Sequence, residues 1–223
     1  MEEPPFMMDM IYEMDRIFQE EIFTPEYNAN TATMLLSMNS YMMLSNAILQ
    51  ALSGHAVAVL PVVRTALESA CYALLTSDDE KMSKIWFNRG KSKTATSKCR
   101  DAFTIGAAIH KLRQASPEMA DYVKSVYDSS IEYGAHPNIK SIAHHLRDKG
   151  VIDETYRAFS HVGVYGENSR EVNSTLMLCI DVGQAIAFLL SLSAKEHSFV
   201  LHRLDVFENW IDQKNEMEKK FFE

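Results

Sequence analysis

Two charged residues, Arg64 and Glu68, stand alone in the apolar stretch AVAVLPVVRTALESACYALL, residues 56–75. Four residues apart, they share one face of a helix with Tyr72, which is a candidate binding residue. We expect the pair to be partly buried, where an ion pair seldom stabilises a protein relative to apolar residues of the same size. Arg64 and Glu68 are therefore candidate catalytic or ligand-binding residues. The alternative is a structural ion pair that fixes the register of the helix.

The turn YGAHPN, residues 133–138, offers an imidazole that could act as a proton donor or bind an anion. Pro137 fixes its own φ and restricts His136 to extended conformations. The turn follows a predicted helix, whose C-terminal dipole favours the protonated form of a histidine. Tyr133 and Asn138 flank His136 as candidate binding residues. The alternative is a histidine that caps the helix by hydrogen bonding to its last carbonyl groups.

Asp181 is the only charge in the apolar segment STLMLCIDVGQAIAFLLSLSA, residues 174–194. The segment nearly has the length of a membrane span, but a central Asp costs about 2.5–3.5 kcal/mol in a bilayer. We therefore expect a buried core helix and no membrane span. A buried carboxylate needs a partner, and Arg64 or His136 is expected to supply it. Asp181 is therefore also a candidate binding residue.

Residues 81–100 form a basic window, which contains no acidic residue but includes Trp86 and Phe87. Subtracting its charge of +7 from the net charge of −8 leaves −15 on the rest of the chain. Basic residues interleaved with aromatic ones can bind single-stranded nucleic acid or phosphates. A junction rich in Lys, Ser and Thr is more often a solvated connector, so RNA binding is not favoured. The cations of the window are Lys81, Lys84, Arg89, Lys91, Lys93, Lys98 and Arg100.

Familiar motifs for metals and cofactors are absent from the sequence. The eight histidines form no HExxH or ExxH pattern, and the chain has no P-loop, GxGxxG or GxSxG. We therefore expect no metal and no cofactor. Three cysteines without paired spacing, and an N-terminus without a basic and apolar leader, predict a reducing cytoplasm.

Helical periodicity and few turn residues, 8 Gly and 6 Pro in 223, predict an all-α protein. We expect one domain, residues 1–223, built as a bundle of about seven or eight helices. Residues 139–166 are predicted to form either a small β-hairpin or short irregular helices. Nine of the thirteen methionines lie in the first 43 residues, which indicates ordinary core or a flexible binding face. The predicted helices are 6–23, 31–52, 55–76, 77–88, 94–114, 116–133, 169–193 and 195–219.

The phrases PVVRTALESACYALL and SSIEYGAHPNIKSI resemble an uncharacterised family of bacterial all-helical proteins that carry an Arg-x-x-x-Glu helix and a later His-Pro turn. That family is distantly similar to HEPN domains, helical bundles that include metal-independent ribonucleases and toxin or defence proteins. HEPN ribonucleases carry an Arg, a polar neighbour and a His four to six residues later. In this chain, Arg157 and His161 are one residue closer than that motif requires, and no polar residue directly follows Arg157. Arg100 has the polar neighbour Asp101, but His110 lies too far along the chain. The resemblance thus implies a HEPN-like bundle more than a ribonuclease.

The cysteine and N-terminal patterns predict a cytoplasmic protein, and the resemblance implies a bacterial one. We expect a homodimer or another homo-oligomer. A polar pocket, which the resemblance implies is shared by Arg64, Glu68 and His136, would serve a ligand-sensing or interaction module in stress or defence. Its small ligand or protein partner is unknown. The alternative is an RNA-directed hydrolase or RNA-binding toxin, in which His136 acts as acid and base and Arg64 stabilises phosphate charge. Whether the chain is an enzyme is left open.

Overall fold

A computed structural model describes residues 4–24, 27–132, 142–143 and 145–223 of the chain. The described part is all-α with one small antiparallel hairpin, which confirms the predicted fold class. Of the two alternatives for residues 139–166, the structure has the hairpin. The strands are β1 (Leu146–Val151) and β2 (Arg157–His161). The helices are α1 (Met8–Ile17), α2 (Thr31–Leu52), α3 (Ala56–Thr76), α4 (Glu80–Phe87), α5 (Lys93–Ala102), α6 (Ile105–Ala115), α7 (Pro117–Ser130), α8 (Arg170–Ser193), α9 (Ser198–His202) and α10 (Leu204–Phe222).

Helices α3 and α8 form the centre of one continuous hydrophobic core. Helix α2 packs against α3, α8 packs against both, and α6 and α7 also pack against α3. Ala66, Ala70 and Ala73 of α3 are fully buried, and their small side chains let neighbouring helices approach closely. Helix α3 begins at Ala56, so Pro61 lies inside the helix and not at its start.

Two of the described helices, α3 and α8, are long and apolar enough to cross a membrane by length and composition. Half of the most apolar window of α3 and 78% of that of α8 are buried inside the chain. Core helices of soluble proteins have the same length and composition. The predicted segment 174–194 thus lies almost wholly in α8, a helix that the other helices cover, and the absence of a membrane span stays a prediction.

The helix predicted over 94–114 is wrong, because α5 and α6 are separate helices. The break falls at Phe103 and Thr104, where the Thr104 hydroxyl accepts a hydrogen bond from the Ala107 N–H (3.1 Å) and caps α6. Phe103 is only 4% exposed, and its ring meets Tyr72 edge-on at 5.2 Å between centroids. Burial of one aromatic ring and a threonine cap therefore interrupt a continuous helical pattern.

The first and last predicted helices are also divided. Helix α1 ends at Ile17 and continues as a wider π-helix over Phe18–Ile22. The last predicted helix, 195–219, is interrupted at Arg203, between α9 and α10. There the Arg203 guanidinium forms an ion pair with Glu21 at 2.9 Å, so the bend connects the C-terminal helices to the π-helix.

The hairpin is joined to the bundle through the segment that follows β2. The N–H of Tyr165 donates to the carbonyl of Gly54 at 3.0 Å, in the loop between α2 and α3. Gly54 has a φ of +76°, and a Cβ there would lie 2.3 Å from the Tyr165 carbonyl oxygen. Tyr165 Oη is also 2.7 Å from His145 Nδ1, just before β1. One glycine thus lets both ends of the hairpin approach the start of α3.

Candidate functional site

Arg64, Glu68 and Tyr127 form a closed triangle of hydrogen bonds between α3 and α7. Arg64 Nε donates to Glu68 Oε1 at 2.9 Å, and Arg64 Nη2 donates to Tyr127 Oη at 3.3 Å. The Tyr127 hydroxyl donates to the same Glu68 oxygen at 3.2 Å. The Arg64 guanidinium carbon also lies 5.4 Å from the centre of the Tyr127 ring. We call these three residues the Arg64 cluster.

The two helices bring these side chains together for different reasons. Arg64 and Glu68 are one turn apart on α3, so their side chains meet on the same face. Helix α7 begins with a Ser116 cap that accepts from the Met119 N–H (3.3 Å), and its buried Val123 and Val126 pack into the core. Tyr127 follows Val126 at the edge of this buried face, which directs the phenol to α3.

The pKa values of Arg64 and Tyr127 are both raised in the Arg64 cluster. Partial burial lowers the pKa of Arg64, but Glu68 and the phenol outweigh it and raise that pKa above its usual value. Burial, followed by the charge of Glu68, raises the pKa of Tyr127. At neutral pH the cluster therefore contains a guanidinium and a protonated phenol that can donate to Glu68.

The Arg64 guanidinium retains hydrogen-bonding capacity. Its side chain is 29% exposed and that of Glu68 is 27% exposed, so water and small molecules reach both. Within the described part of the chain, Arg64 Nη1 has no hydrogen-bond partner. A carboxylate or phosphate group could therefore bind to Nη1 while Glu68 and Tyr127 hold the guanidinium in place.

Tyr72 lies one turn beyond Glu68 on the same side of α3 and extends the Arg64 cluster. Burial, and then the charge of Glu68, raises the pKa of Tyr72 to about 12, so the phenol is neutral at physiological pH. Phe103 supports its ring edge-on. Tyr72 thus offers a rigid aromatic edge beside the charged pair.

Three more of the predicted site residues are His136, Tyr133 and Asn138. All three lie outside the residues that the structure describes. The meeting of His136 with Arg64 and Glu68 therefore stays a prediction.

Of the two partners predicted for Asp181, Arg64 is wrong, and His136 lies outside the described residues. Lys214, on α10, places Nζ 2.9 Å from Asp181 Oδ1, and its side chain is only 11% exposed. The Tyr122 hydroxyl on α7 lies 3.3 Å from the same oxygen. Tyr122 and Tyr127 point to different neighbours, because α7 packs against both α3 and α8. The structure therefore places Asp181 in a second polar group, made with Lys214 and Tyr122.

Burial is the largest single influence on the pKa of Asp181 and on that of Lys214. It raises the pKa of Asp181, although the charge of Lys214 opposes the shift. Burial also lowers the pKa of Lys214, but Asp181 and Glu218 outweigh it and raise that pKa. The ion pair joins α10 to the core helix α8, so Asp181 has a structural partner that is independent of the Arg64 cluster.

The basic window folds as α4, a short 3₁₀ turn (Arg89–Lys91) and most of α5. All seven cations are exposed. Lys84 pairs with Glu80 at 3.1 Å, and Arg100 with Asp101 at 3.4 Å. The remaining five form no ion pair with any carboxylate that the structure describes. Lys81, Lys84 and Lys98 line a groove of about 400 Å³ between α4 and α5.

Metal-binding clusters and exposed thiols do not occur in the described residues. No group of three or more His, Cys, Asp or Glu side chains there could hold a metal ion. Cys71, Cys99 and Cys179 are free and buried. Burial and the nearby charge of Glu68 raise the pKa of Cys71 to about 12, so it is an unreactive thiol.

Sequence reasoning missed Tyr127 and Lys214, but only one of them leaves a signal. Lys214 occupies an apolar position of α10, on the helical stripe that contains Phe207, Trp210 and Met217. A cation on such a stripe predicts a buried carboxylate partner. No spacing in α7 distinguishes Tyr127 from an ordinary aromatic residue at the edge of the core.

Comparison of the chain with protein-family models, with curated proteins and with solved structures finds no match.

Proposed function

We propose that this chain is a ligand-sensing or interaction module that binds a small molecule at the Arg64 cluster. The observation that carries the proposal is the guanidinium of Arg64, which Glu68 and a tyrosine from a second helix hold in place while Nη1 stays unpartnered among the described residues. Such a guanidinium suits a ligand with a carboxylate or phosphate group. Tyr72 would contact the apolar part of the ligand.

The cluster is poorly explained by stability alone. An ion pair between residues four apart contributes about 0.3–0.5 kcal/mol when it is exposed, and these side chains are more than a quarter exposed. The pair interrupts a helix that is otherwise apolar from Ala56 to Leu75. A binding role accounts for the placement of two charges there, and His136 would complete the site from the following turn.

We further propose that the module works in the bacterial cytoplasm, in stress or defence, as a homo-oligomer. The hairpin supports self-association, because Val151, Ile152, Tyr156 and Phe159 are 55–71% exposed on it. A two-stranded hairpin is marginally stable alone, and no described residue pairs with the outer edge of either strand. Within the described residues these are the only strands, so the same hairpin of a second copy is the natural partner.

Native mass spectrometry of the purified chain tests the binding proposal. A co-purifying small molecule with a carboxylate or phosphate group should accompany the wild-type chain and the control variant Arg113→Gln, an arginine on α6 that pairs with Asp121. Arg64→Gln should lose it. A molecule that is retained in Arg64→Gln would contradict the proposal.

Light scattering after size-exclusion chromatography tests self-association. Phe159→Lys should yield a monomer, whereas Leu201→Lys on α9 should not, although both parent side chains are 55% exposed. A monomeric wild-type chain at all concentrations would contradict the oligomer, without affecting the binding proposal.

A second candidate function is RNA binding or RNA hydrolysis. The seven exposed cations of the basic window and the groove between α4 and α5 favour it. Degradation of RNA by the purified chain, abolished in both Arg64→Ala and His136→Ala, would support a hydrolase. Intact RNA together with a co-purifying small molecule would support the sensor.

A further inference from the structure

A separate cavity lies between the π-helix and α2, and we call it the methionine pocket. Its volume is about 450 Å³, which falls in the range of small-molecule sites. None of its lining residues belongs to the Arg64 cluster, so a ligand bound here would be separate from one bound at Arg64. The pocket is lined by Gln19, Phe23, Thr24, Tyr27, Met34, Met38, Tyr41 and Met42.

The π-helix gives the methionine pocket its shape. Phe23 N–H donates to the Phe18 carbonyl five residues earlier, at 2.9 Å. On the opposite side, the Glu21 carboxylate pairs with Arg203 and the Ile22 carbonyl lies 2.9 Å from His197 Nε2. These contacts hold the wide turn against the C-terminal part of the chain. Single π-helical turns occur frequently at functional sites, because the extra residue reorients nearby side chains.

The walls of the methionine pocket are aromatic rings and thioethers. The Tyr41 and Phe23 rings lie 5.5 Å apart, and Tyr41 also stacks on the buried Phe18 at 4.9 Å. Met38 and Met42 are 50% and 65% exposed at the mouth, so their flexible side chains are free to close over a bound molecule. Thioethers and aromatic rings both contact a planar aromatic ring favourably.

None of the described residues that line the methionine pocket is charged. Burial raises the pKa of Tyr27 to about 12, and burial together with Asp15 raises that of Tyr41 to about 12, so both phenols stay neutral. An anionic ligand would lose its hydration there without gaining a cation from the described lining residues. Gln19 donates weakly to Tyr41 Oη at 3.4 Å, which leaves its Oε1 without a partner in the described part of the chain. That oxygen can accept one hydrogen bond from a ligand.

We propose that the methionine pocket binds a small, neutral aromatic molecule that carries an N–H or O–H donor. The Phe23 and Tyr41 rings would contact one face of the ligand ring, and the thioethers of Met38 and Met42 would contact the other. The N–H or O–H of the ligand would donate a hydrogen bond to Gln19 Oε1. A cavity of about 450 Å³ suits a small molecule, whereas a protein partner needs roughly 800 Å² of contact on each side.

Fluorescence titration with N-phenyl-1-naphthylamine, a neutral aromatic amine, tests the proposal on the full chain. Saturable binding of one dye per chain is expected. Met42→Lys should weaken it at least about tenfold by placing a charge at the mouth. The matched control is Leu49→Lys, about two turns along α2, where the parent side chain is 64% exposed against 65% for Met42. This control should bind within about twofold of the wild type.

Three further measurements distinguish binding inside the pocket from adsorption of the dye elsewhere on the chain. Met34→Trp, which fills the pocket from inside, should abolish dye binding even if Met42→Lys proves unstable by circular dichroism. Neutral 2-naphthol should displace the dye and anionic 2-naphthoate should not. In ε-¹³C-methionine spectra, the methyl signals of Met38 and Met42 should shift on titration, while that of Met217 on α10 should not.

Several results would overturn the proposal. They are equal dye binding by wild type and Met42→Lys, equal loss in Leu49→Lys, and displacement by the naphthoate as strong as by the naphthol. A fourth is a Met42→Lys variant that becomes monomeric and binds dye better than an oligomeric wild type. That outcome would mean that a second copy, and not a small molecule, covers the methionine pocket.

Discussion

Arg64 on α3 and Tyr127 on α7 contact each other in two ways, through a hydrogen bond of 3.3 Å and through the face of the phenol ring, 5.4 Å from the guanidinium carbon. An intrahelical pair with Glu68 alone would leave the arginine free to change rotamer. The phenol of a second helix restricts it and selects one orientation. A guanidinium that is already oriented loses less entropy when a ligand binds, which is why this contact supports a binding role.

If the cluster serves binding, its removal should cost little stability. We expect Arg64→Gln to lower the free energy of unfolding by less than about 1 kcal/mol, because both side chains of the ion pair are more than a quarter exposed. Urea denaturation measures this, with Arg113→Gln as the control. A loss above about 2 kcal/mol in Arg64→Gln, with no comparable loss in the control, would indicate a structural ion pair.

The ion pair between Asp181 and Lys214 should behave in the opposite way. Lys214 is only 11% exposed, and although the Asp181 side chain is 26% exposed, burial raises its pKa. Lys214→Met leaves this carboxylate without its cation, so we expect a loss of about 1–3 kcal/mol by urea denaturation. Asp181→Asn combined with Lys214→Met should recover most of that loss. A double variant as unstable as the single one would show that Lys214 acts through packing.

The same ion pair predicts how the stability of the Lys214→Met variant depends on pH. The pKa of Asp181 in the folded chain is raised, and Lys214→Met should raise it further, because burial then acts without opposition. The folded state then binds the proton more tightly than the unfolded chain does. The stability of Lys214→Met should therefore fall as pH increases from about 4 towards neutrality. The double variant should lack this dependence, and an identical pH profile would contradict the assignment.

Gly54 should be far less tolerant of substitution than Gly150. Both have positive φ, +76° and +96°, so Ala strains the backbone at either position. Only at Gly54 would the new Cβ meet another backbone atom, the Tyr165 carbonyl oxygen at 2.3 Å. We expect Gly54→Ala to destabilise the chain by at least about 1 kcal/mol more than Gly150→Ala in thermal or urea denaturation. Equal losses would mean that Tyr165 is not anchored there.

The exposed cations of the basic window should bind RNA weakly and through charge. Fluorescence anisotropy with a labelled single-stranded RNA should show affinity that falls steeply with salt. Replacing Lys91, Lys93 and Lys98 with Gln should reduce the slope of log K against log salt by up to about 2. The control replaces Lys149, Lys195 and Lys219, which removes the same charge elsewhere. Equal effects of both triple variants would indicate that only net charge matters.

The helices were largely predictable from the sequence, because periodicity and capping are local. Helix α2 begins and ends where predicted, at Thr31 and Leu52, since Asn30 caps it by accepting from the Thr33 N–H at 3.0 Å. The break at Thr104 was missed, because burial of the Phe103 ring beside it depends on the tertiary fold. The π-helix after Ile17 was missed for a similar reason, since contacts with Arg203 and His197 hold it.

The candidate site was predictable only within one helix. Arg64, Glu68 and Tyr72 share a face because of their spacing, which the sequence shows directly. Tyr127 belongs to the cluster through the packing of α7 on α3, and no local pattern reports that packing. Arg64 and His136 were the partners predicted for Asp181, because a buried carboxylate needs a cation or a hydrogen-bond donor. The cation that meets it comes from α10, where Lys214 replaces an apolar residue on the buried stripe.

The most direct test of the Arg64 cluster is the side-chain Nε–Hε signal of Arg64 in ¹⁵N spectra, during titration with inorganic phosphate and, separately, with benzoate. We predict a saturable shift with at least one of these probes, a weaker response in Tyr127→Phe, and no comparable shift for Arg113. An Arg64 signal that stays fixed, or one that moves no more than that of Arg113, would contradict the proposal that this guanidinium is a ligand-binding group.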